Sequence, residues 1–159
     1  MNNISGFSLL ELSEHLKAQG LLVKCDLKTP NAIARALETN SREVQSDDIF
    51  LAYQGVGQDS HEFLKDDKFK PLCVVVEPHY NGPAFANCLV IKDGRAAWSE
   101  ICSKLAGKPN EKLRFIGVTG TNGKTSTTWY TYHLLKAAGH NVLYIGTLGI
   151  YLGDHYYPS

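Results

Sequence analysis

The stretch GVTGTNGKTSTT, from Gly117 to Thr128, limits the possible folds of this chain more than any other. It follows the apolar run LRFIGV and precedes a stretch with helical spacing of apolar residues, which predicts a strand, a tight loop and a helix in that order. Gly120 and Gly123 allow the loop backbone to turn its N–H groups inward, and the following helix adds the positive end of its dipole. This arrangement is typical of a loop that binds nucleotide phosphates.

The residue types in this loop suggest individual roles. We expect ATP phosphates to be bound by seven consecutive residues: Gly120, Thr121, Asn122, Gly123, Lys124, Thr125 and Ser126. Lys124 would reach the β and γ phosphates and act as the catalytic residue, and the Thr125 hydroxyl would ligate Mg²⁺. The general pattern GxxxxGK[ST] has glycine where this chain has Val118, so the pattern is not met in full. The competing interpretation is a Gly- and Thr-rich turn without a ligand.

Strands and helices alternate along the chain, which predicts a parallel α/β fold. Short apolar runs predict strands at 47–53, 72–77, 88–91, 113–118 and 141–146. Helices are predicted at 9–19, after Gly94, and from Lys124 to about Ala138. Because a polar linker occupies 107–112, we expect a small N-terminal α/β domain over 1–109 and the first βαβ unit of a second, truncated domain over 110–159.

Charge and composition narrow the range of partners. Sixteen basic and sixteen acidic side chains cancel, so nothing favours nucleic acid or an anionic membrane surface. We find neither a long apolar run nor a positively charged leader, so we expect no membrane span and no export. The four cysteines lack CxxC spacing and are expected to be reduced and mostly buried, which favours a cytoplasmic location. The histidines outside the motifs, including His79, have no ligand-like spacing and are expected at the surface.

The loop GVTGTNGKTSTT resembles the ATP-binding loop of the Mur ligases, the cytoplasmic amino-acid ligases of peptidoglycan synthesis, whose version carries TGTNGKT without the first glycine. A second stretch, TNSREVQSDDIFLAYQGVGQDSHEF at 39–63, is similar to the family segments DSR, GDLFVA, KG and DGHDF. Asn40 stands where the family has aspartate, Asp47 where it has glycine, and Ser60 where it has glycine. In the ligases that add the third and fourth residues, these segments form the pocket for the UDP end of the substrate.

The resemblance implies that the UDP substrate is bound by Ser41, Arg42, Gly55, Gly57, Asp59 and His61. A hydroxyl beside a planar cation with five donors suits a uridine or a diphosphate. Without the resemblance, however, an ordinary surface turn with a solvated arginine is the better interpretation of Ser41 and Arg42.

Among the Mur ligases, this chain is most similar to the members that add the third residue. The resemblance implies that the full-length protein uses ATP and Mg²⁺ to convert a carboxyl group of UDP-N-acetylmuramoyl-L-alanyl-D-glutamate into an acyl phosphate. The amino group of a diamino acid, diaminopimelate or lysine, then attacks. Thr147, in IGTLG, is similar to a family position that faces the active site.

The chain would then be an N-terminal piece of a ligase and catalytically incomplete, and its uncovered strand edges favour self-association. Three alternatives stay open. The first is another Mur ligase, which adds D-glutamate or the fourth residue. The second is a UDP-sugar-binding module without catalysis, and the third is a piece of a P-loop NTPase that hydrolyses ATP without ligation.

Overall fold

The structure is a computed structural model that describes residues 8–55, 57–66 and 68–158. It divides into two compact units, Met1–Leu113 and Arg114–Ser159, which we call unit 1 and unit 2. Unit 1 contains a five-stranded sheet with helices, and unit 2 contains a helix and a three-stranded sheet. The predicted α/β class is therefore confirmed, with a mostly parallel sheet in unit 1, whereas the sheet of unit 2 is antiparallel. Within the described ranges, no helix combines the length and the apolar character needed to cross a bilayer.

The sheet of unit 1 is mostly parallel. Its elements are α1 (Leu9–Ala18), β1 (Leu22–Leu27), β2 (Leu37–Glu38), β3 (Ile49–Leu51), a 3-10 helix (Ser60–Lys65), β4 (Cys73–Val76), β5 (Asn87–Ile91), α2 (Gly94–Leu105) and α3 (Pro109–Lys112). The strand order is β1-β5-β4-β3-β2, in which β2 to β5 run parallel and β1 pairs antiparallel with β5. The carboxyl ends of the four parallel strands therefore lie along one edge, where ligands of open α/β sheets usually bind.

The helix α1 shows how local sequence sets an element of unit 1. The Ser8 hydroxyl accepts a hydrogen bond from the Glu11 N–H, and the Glu11 carboxylate accepts one from the Ser8 N–H, so the two residues form a capping box at the start of the predicted helix. Leu9, Leu12 and Leu16 recur on one face and are fully buried against the sheet. Burial of each such leucine stabilises the fold by about 1.5–3 kcal/mol.

Buried side chains lie on both faces of the sheet, and β4 separates the two clusters. Cys73 and Val75 point to the face covered by α1 and α2, whereas Val74 and Val76 pack with Leu64 of the 3-10 helix on the opposite face. All four residues of β4 are buried, as expected for a central strand of a covered parallel sheet.

The second unit holds α4 (Lys124–Ala137), β6 (Leu143–Gly146), β7 (Gly149–Leu152) and β8 (His155–Tyr157). The three strands form an antiparallel meander. Trp129 and Tyr132 of α4 contact Tyr144 and Tyr151 of the sheet, with the four ring centroids 5.0 to 6.3 Å apart. This aromatic cluster holds the helix on the sheet.

Two sequence-based expectations need correction. The apolar run 113–118 was expected to form a strand, but residues 114–119 carry no regular secondary structure, so the described part of unit 2 lacks the first strand of the expected βαβ unit. A strand requires a neighbour to pair with, and Phe115 and Ile116 are 72% and 63% exposed. All four cysteines are free, as expected, but Cys25 on the edge strand β1 and Cys102 on α2 are exposed rather than buried.

Candidate functional site

A cavity of about 370 Å³ lies beside the carboxyl ends of β2 and β3 in unit 1. It is lined by Thr39, Asn40, Ser41, Arg42, Tyr53, Gly55, Gln58, Ser60 and Phe63. The structure thus brings together three of the residues predicted to bind the UDP substrate, Ser41, Arg42 and Gly55. Tyr53 and Gln58 also line the cavity but were not predicted from the sequence, because their position depends on the conformation of the loop after β3.

A turn at the end of β2 presents Arg42 to the cavity. The Asn40 side chain accepts a hydrogen bond from the Arg42 N–H at 3.2 Å and donates one to the Glu43 carboxylate at 2.9 Å. Asparagine therefore makes the side-chain turn for which an aspartate would also be suited. In the described part of the chain the Arg42 guanidinium has no hydrogen-bonding or ionic partner, whereas Arg35 is paired with the buried Asp48 at 2.6 Å. Arg42 thus keeps all its donors available for an anion.

The loop from Tyr53 to Ser60 forms the facing wall of the cavity. The Ser60 hydroxyl accepts a hydrogen bond from the Tyr53 N–H at 2.8 Å and donates one to the Tyr53 carbonyl at 2.9 Å. The Gly55 N–H donates to the Gln58 carbonyl at 3.0 Å. A Cβ at position 55 would lie 2.8 Å from that carbonyl oxygen, so the turn requires glycine.

The other three predicted UDP contacts do not line the cavity. Gly57 is exposed, with no atom within 4 Å of the position a Cβ would take. His61 is only 3% exposed, and its Nδ1 lies 2.5 Å from Asp59 Oδ1 while its Nε2 accepts a hydrogen bond from the Glu77 N–H at 3.0 Å. Burial raises the pKa of the Asp59 carboxyl, but hydrogen bonds from the His61 ring and backbone outweigh this effect and leave the pKa lowered. Asp59 and His61 thus tie the loop to the end of β4.

Asp59, His61 and His79 form a cluster whose potential metal-ligating atoms lie within 4.8 Å of one another. A neutral imidazole has one acceptor nitrogen, and His61 already uses Nε2 to accept the Glu77 N–H, so its Nδ1 carries the proton and cannot ligate a cation. His79 is about half exposed, as predicted, and its Nε2 lies 3.3 Å from Asp59 Oδ2. We therefore interpret the cluster as a hydrogen-bonded support of the cavity wall.

The predicted phosphate loop lies at the start of α4 in unit 2. Gly120 and Gly123 have φ angles of 146° and 78°, which favour glycine, and α4 begins at Lys124 without a side chain that caps its first amides. The Lys124 ammonium donates to the Gly120 carbonyl and, at 3.2 Å, to the Thr121 carbonyl. The amides of the first turn and the Lys124 ammonium are groups that suit a phosphate.

The hydroxyls of Thr125 and Thr147 are 3.0 Å apart. Thr147 lies in the turn between β6 and β7, which brings it to the first turn of α4. Of the seven predicted loop residues, Thr125 is half-buried, and the remaining six are exposed: Gly120, Thr121, Asn122, Gly123, Lys124 and Ser126.

Residues 118–158 match the Mur ligase middle domain. The chain is 36% identical over 125 residues to the UDP-N-acetylmuramoyl-L-alanyl-D-glutamate–2,6-diaminopimelate ligase of Clostridium tetani, an alignment that covers 74% of this chain and 25% of that protein. It is 34% identical over 126 residues to the ligase of the same name from Geobacillus thermodenitrificans, covering 78% of this chain and 25% of that protein. The chain thus spans about a quarter of the length of these relatives.

Among solved structures, the chain is similar in fold to a crystal structure of MurF from Acinetobacter baumannii. The TM-score is 0.60 at 22% sequence identity, and the match covers 92% of this chain and 31% of the MurF chain.

Proposed function

Because this chain is related to the Mur ligases, we propose that it is part of an ATP-dependent ligase of cytoplasmic peptidoglycan precursor synthesis. Such a ligase adds a diamino acid to UDP-N-acetylmuramoyl-L-alanyl-D-glutamate, and the similarity to 2,6-diaminopimelate ligases supports diaminopimelate. Since the chain spans about a quarter of those relatives, we propose that its own contribution is to dock the UDP substrate and hold ATP phosphates. The cavity with Arg42, whose guanidinium has no partner among the described residues, is the observation that carries the proposal.

The chemistry of the cavity suits the UDP end of the substrate. The Arg42 guanidinium binds a phosphate through two parallel hydrogen bonds, and the Ser41 hydroxyl both donates and accepts. Tyr53 and Phe63 offer apolar rings to a flat base. Asp59 and His61 support the site because they tie the loop to the end of β4.

The loop from Gly120 to Ser126 is proposed to bind the phosphates of ATP. The first amides of α4 and the Lys124 ammonium would stabilise negative charge on the transferred phosphoryl group. The Thr125 hydroxyl fits one ligand position of Mg²⁺, which would neutralise charge on the phosphates when bound. Thr147 would orient that hydroxyl. Transfer of the γ-phosphoryl group of ATP to the substrate carboxylate would release ADP and give an acyl phosphate, and attack by the amino group of the diamino acid would then form the amide and release inorganic phosphate.

Titration calorimetry of the 159-residue chain tests the proposal with UDP-N-acetylmuramoyl-L-alanyl-D-glutamate, UMP and Mg-ATP as ligands. Arg42→Ala should weaken binding of the first two roughly 10- to 150-fold, since hydrogen bonds to charged groups are worth about 1.5–3 kcal/mol. Lys124→Ala should weaken Mg-ATP binding and leave UMP binding unchanged. Arg114→Ala removes an exposed arginine from unit 2 and serves as the matched control.

A folded sample that binds neither UMP nor the muramoyl dipeptide would refute the docking function. Equal losses in Arg42→Ala and Arg114→Ala would show that net charge, and not the cavity, governs binding. We also propose that exposed apolar side chains of unit 2, such as Phe115 and Ile145, favour self-association, which light scattering would reveal as a mass above that of a monomer.

A further inference from the structure

One side chain, Ser60, holds the loop that forms a wall of the cavity in unit 1. The Ser60 hydroxyl satisfies both backbone groups of Tyr53, and the Ser60 N–H donates to the same Tyr53 carbonyl at 3.3 Å. Both residues are half-buried and both line the cavity. No other side chain of the described residues hydrogen-bonds the Tyr53 backbone.

Packing against α2 also restricts Tyr53. Gly94, at the start of α2, lies so close that a Cβ there would be 2.2 Å from the Tyr53 Cβ. The next residue along the loop, Gln54, donates its N–H to the Glu77 carboxylate at 2.9 Å. Tyr53 therefore lies in close contact with Gly94 of α2, and its backbone is hydrogen-bonded to the Ser60 hydroxyl.

We propose that Ser60 is a positioning residue for the nucleotide cavity, whose hydroxyl holds Tyr53 and the loop up to Gly55 in the shape that receives a uridine nucleotide. This inference rests on the proposed docking function. Without the hydroxyl, the Tyr53 N–H loses its acceptor, and the loop gains conformations in which the wall is displaced. The apparent affinity then falls in proportion to the fraction of molecules that keep the binding shape.

The test combines calorimetry with UMP and amide hydrogen exchange of Tyr53 by NMR on the 159-residue chain. Ser60→Ala should weaken UMP binding about 5- to 10-fold, the size expected for a lost hydrogen bond of about 1 kcal/mol or slightly more. Ser60→Thr keeps the hydroxyl and should bind within about twofold of the unchanged chain. The Tyr53 amide should exchange faster in Ser60→Ala and at the original rate in Ser60→Thr.

Ser8→Ala is the matched control, because it also removes a serine hydroxyl that accepts a backbone N–H, but at the start of α1. Its melting temperature should fall and its UMP affinity should stay the same. Equal weakening in Ser8→Ala and Ser60→Ala would overturn the positioning role, since general stability would then explain both. Unchanged affinity or unchanged Tyr53 exchange in Ser60→Ala, or no rescue by threonine, would also overturn it.

The outcomes separate the two proposals. If the unchanged chain binds UMP and Ser60→Ala binds it equally well, only the positioning role fails. If the unchanged, folded chain does not bind UMP, the docking function fails and the positioning role with it.

Discussion

Replacement of Gly94 by alanine sets two opposing effects against each other. Gly94 is the first residue of α2, and its φ lies outside the left-handed region that favours glycine. Alanine at such a position gains about 0.4–1 kcal/mol, because it lowers the conformational entropy of the unfolded chain. The lower conformational entropy of the unfolded chain, taken alone, therefore predicts a more stable protein.

Packing around Gly94 predicts the opposite. The new Cβ would lie 2.2 Å from the Tyr53 Cβ and 3.3 Å from a Glu77 carboxylate oxygen. Since carbon atoms in contact lie roughly 3.5–4.0 Å apart, the two backbones would have to separate by roughly 1.5 Å. The Tyr53 Cβ is fixed to a backbone that Ser60 holds, so it cannot simply rotate away. Overpacking of this kind costs typically about 1–3 kcal/mol, occasionally more, and exceeds the entropic gain.

We therefore expect Gly94→Ala to lower the free energy of unfolding by about 1–2 kcal/mol and the melting temperature by roughly 4–10 °C. Thermal and urea unfolding followed by circular dichroism would measure both quantities. Gly57→Ala is the matched control, because a Cβ there has nothing within 4 Å. Its stability should stay within about 0.5 kcal/mol of the unchanged chain. A Gly94→Ala protein as stable as the unchanged chain, or more stable, would refute the packing argument.

Two further predictions concern ionisable groups of unit 1. Brief treatment with iodoacetamide should label the exposed Cys25 and Cys102 well before Cys73, since burial raises the pKa of the Cys73 thiol and hides it from the reagent. If mass spectrometry shows that the three cysteines are alkylated at equal rates, the buried position of β4 is contradicted. The lowered pKa of Asp59 means that its contribution to stability is present above its ordinary pKa of about 4 and is lost as the pH falls through the folded-state value. The stability difference between the unchanged chain and Asp59→Asn, measured by urea unfolding, should therefore shrink from pH 7 to pH 3, and a constant difference would indicate that the His61 contact contributes nothing through charge.

The sequence predicts elements well where local interactions decide them. The capping box of Ser8 and Glu11 fixes the start of α1, and Gly139 follows directly after the end of α4 and its cap. The predictions fail where a strand depends on pairing with a segment far away in the sequence. The strand β1 is largely exposed and mixes apolar residues with Lys24 and Asp26, and it pairs with the edge that β5 offers. Residues 113–118 have the composition of a strand, but no described strand pairs with them.

The candidate site follows the same division. Only the family resemblance grouped Ser41, Arg42 and Gly55, and the structure brings them together because β2 and β3 end at the same edge of a parallel sheet. The burial of His61 could not be predicted, because it depends on the Glu77 N–H at the end of a strand 16 residues away. A histidine that contacts a ligand and a histidine that supports the wall of the binding cavity can occupy the same position in a sequence motif, so the sequence does not distinguish them.

The internal contacts of Lys124 bear on which anions the loop would select. The ammonium has three N–H donors and gives two of them to carbonyls of its own loop, so one remains for an incoming anion, and any further hydrogen bond to the anion is an exchange of partners. A phosphate group accepts stronger hydrogen bonds than a neutral carbonyl and gains from the exchange, whereas a weakly basic anion such as chloride recovers little of what it displaces. The exchange would thus reward charge and basicity in the anion, and a polyphosphate bound at this loop would gain more from Lys124 than a small, weakly basic anion.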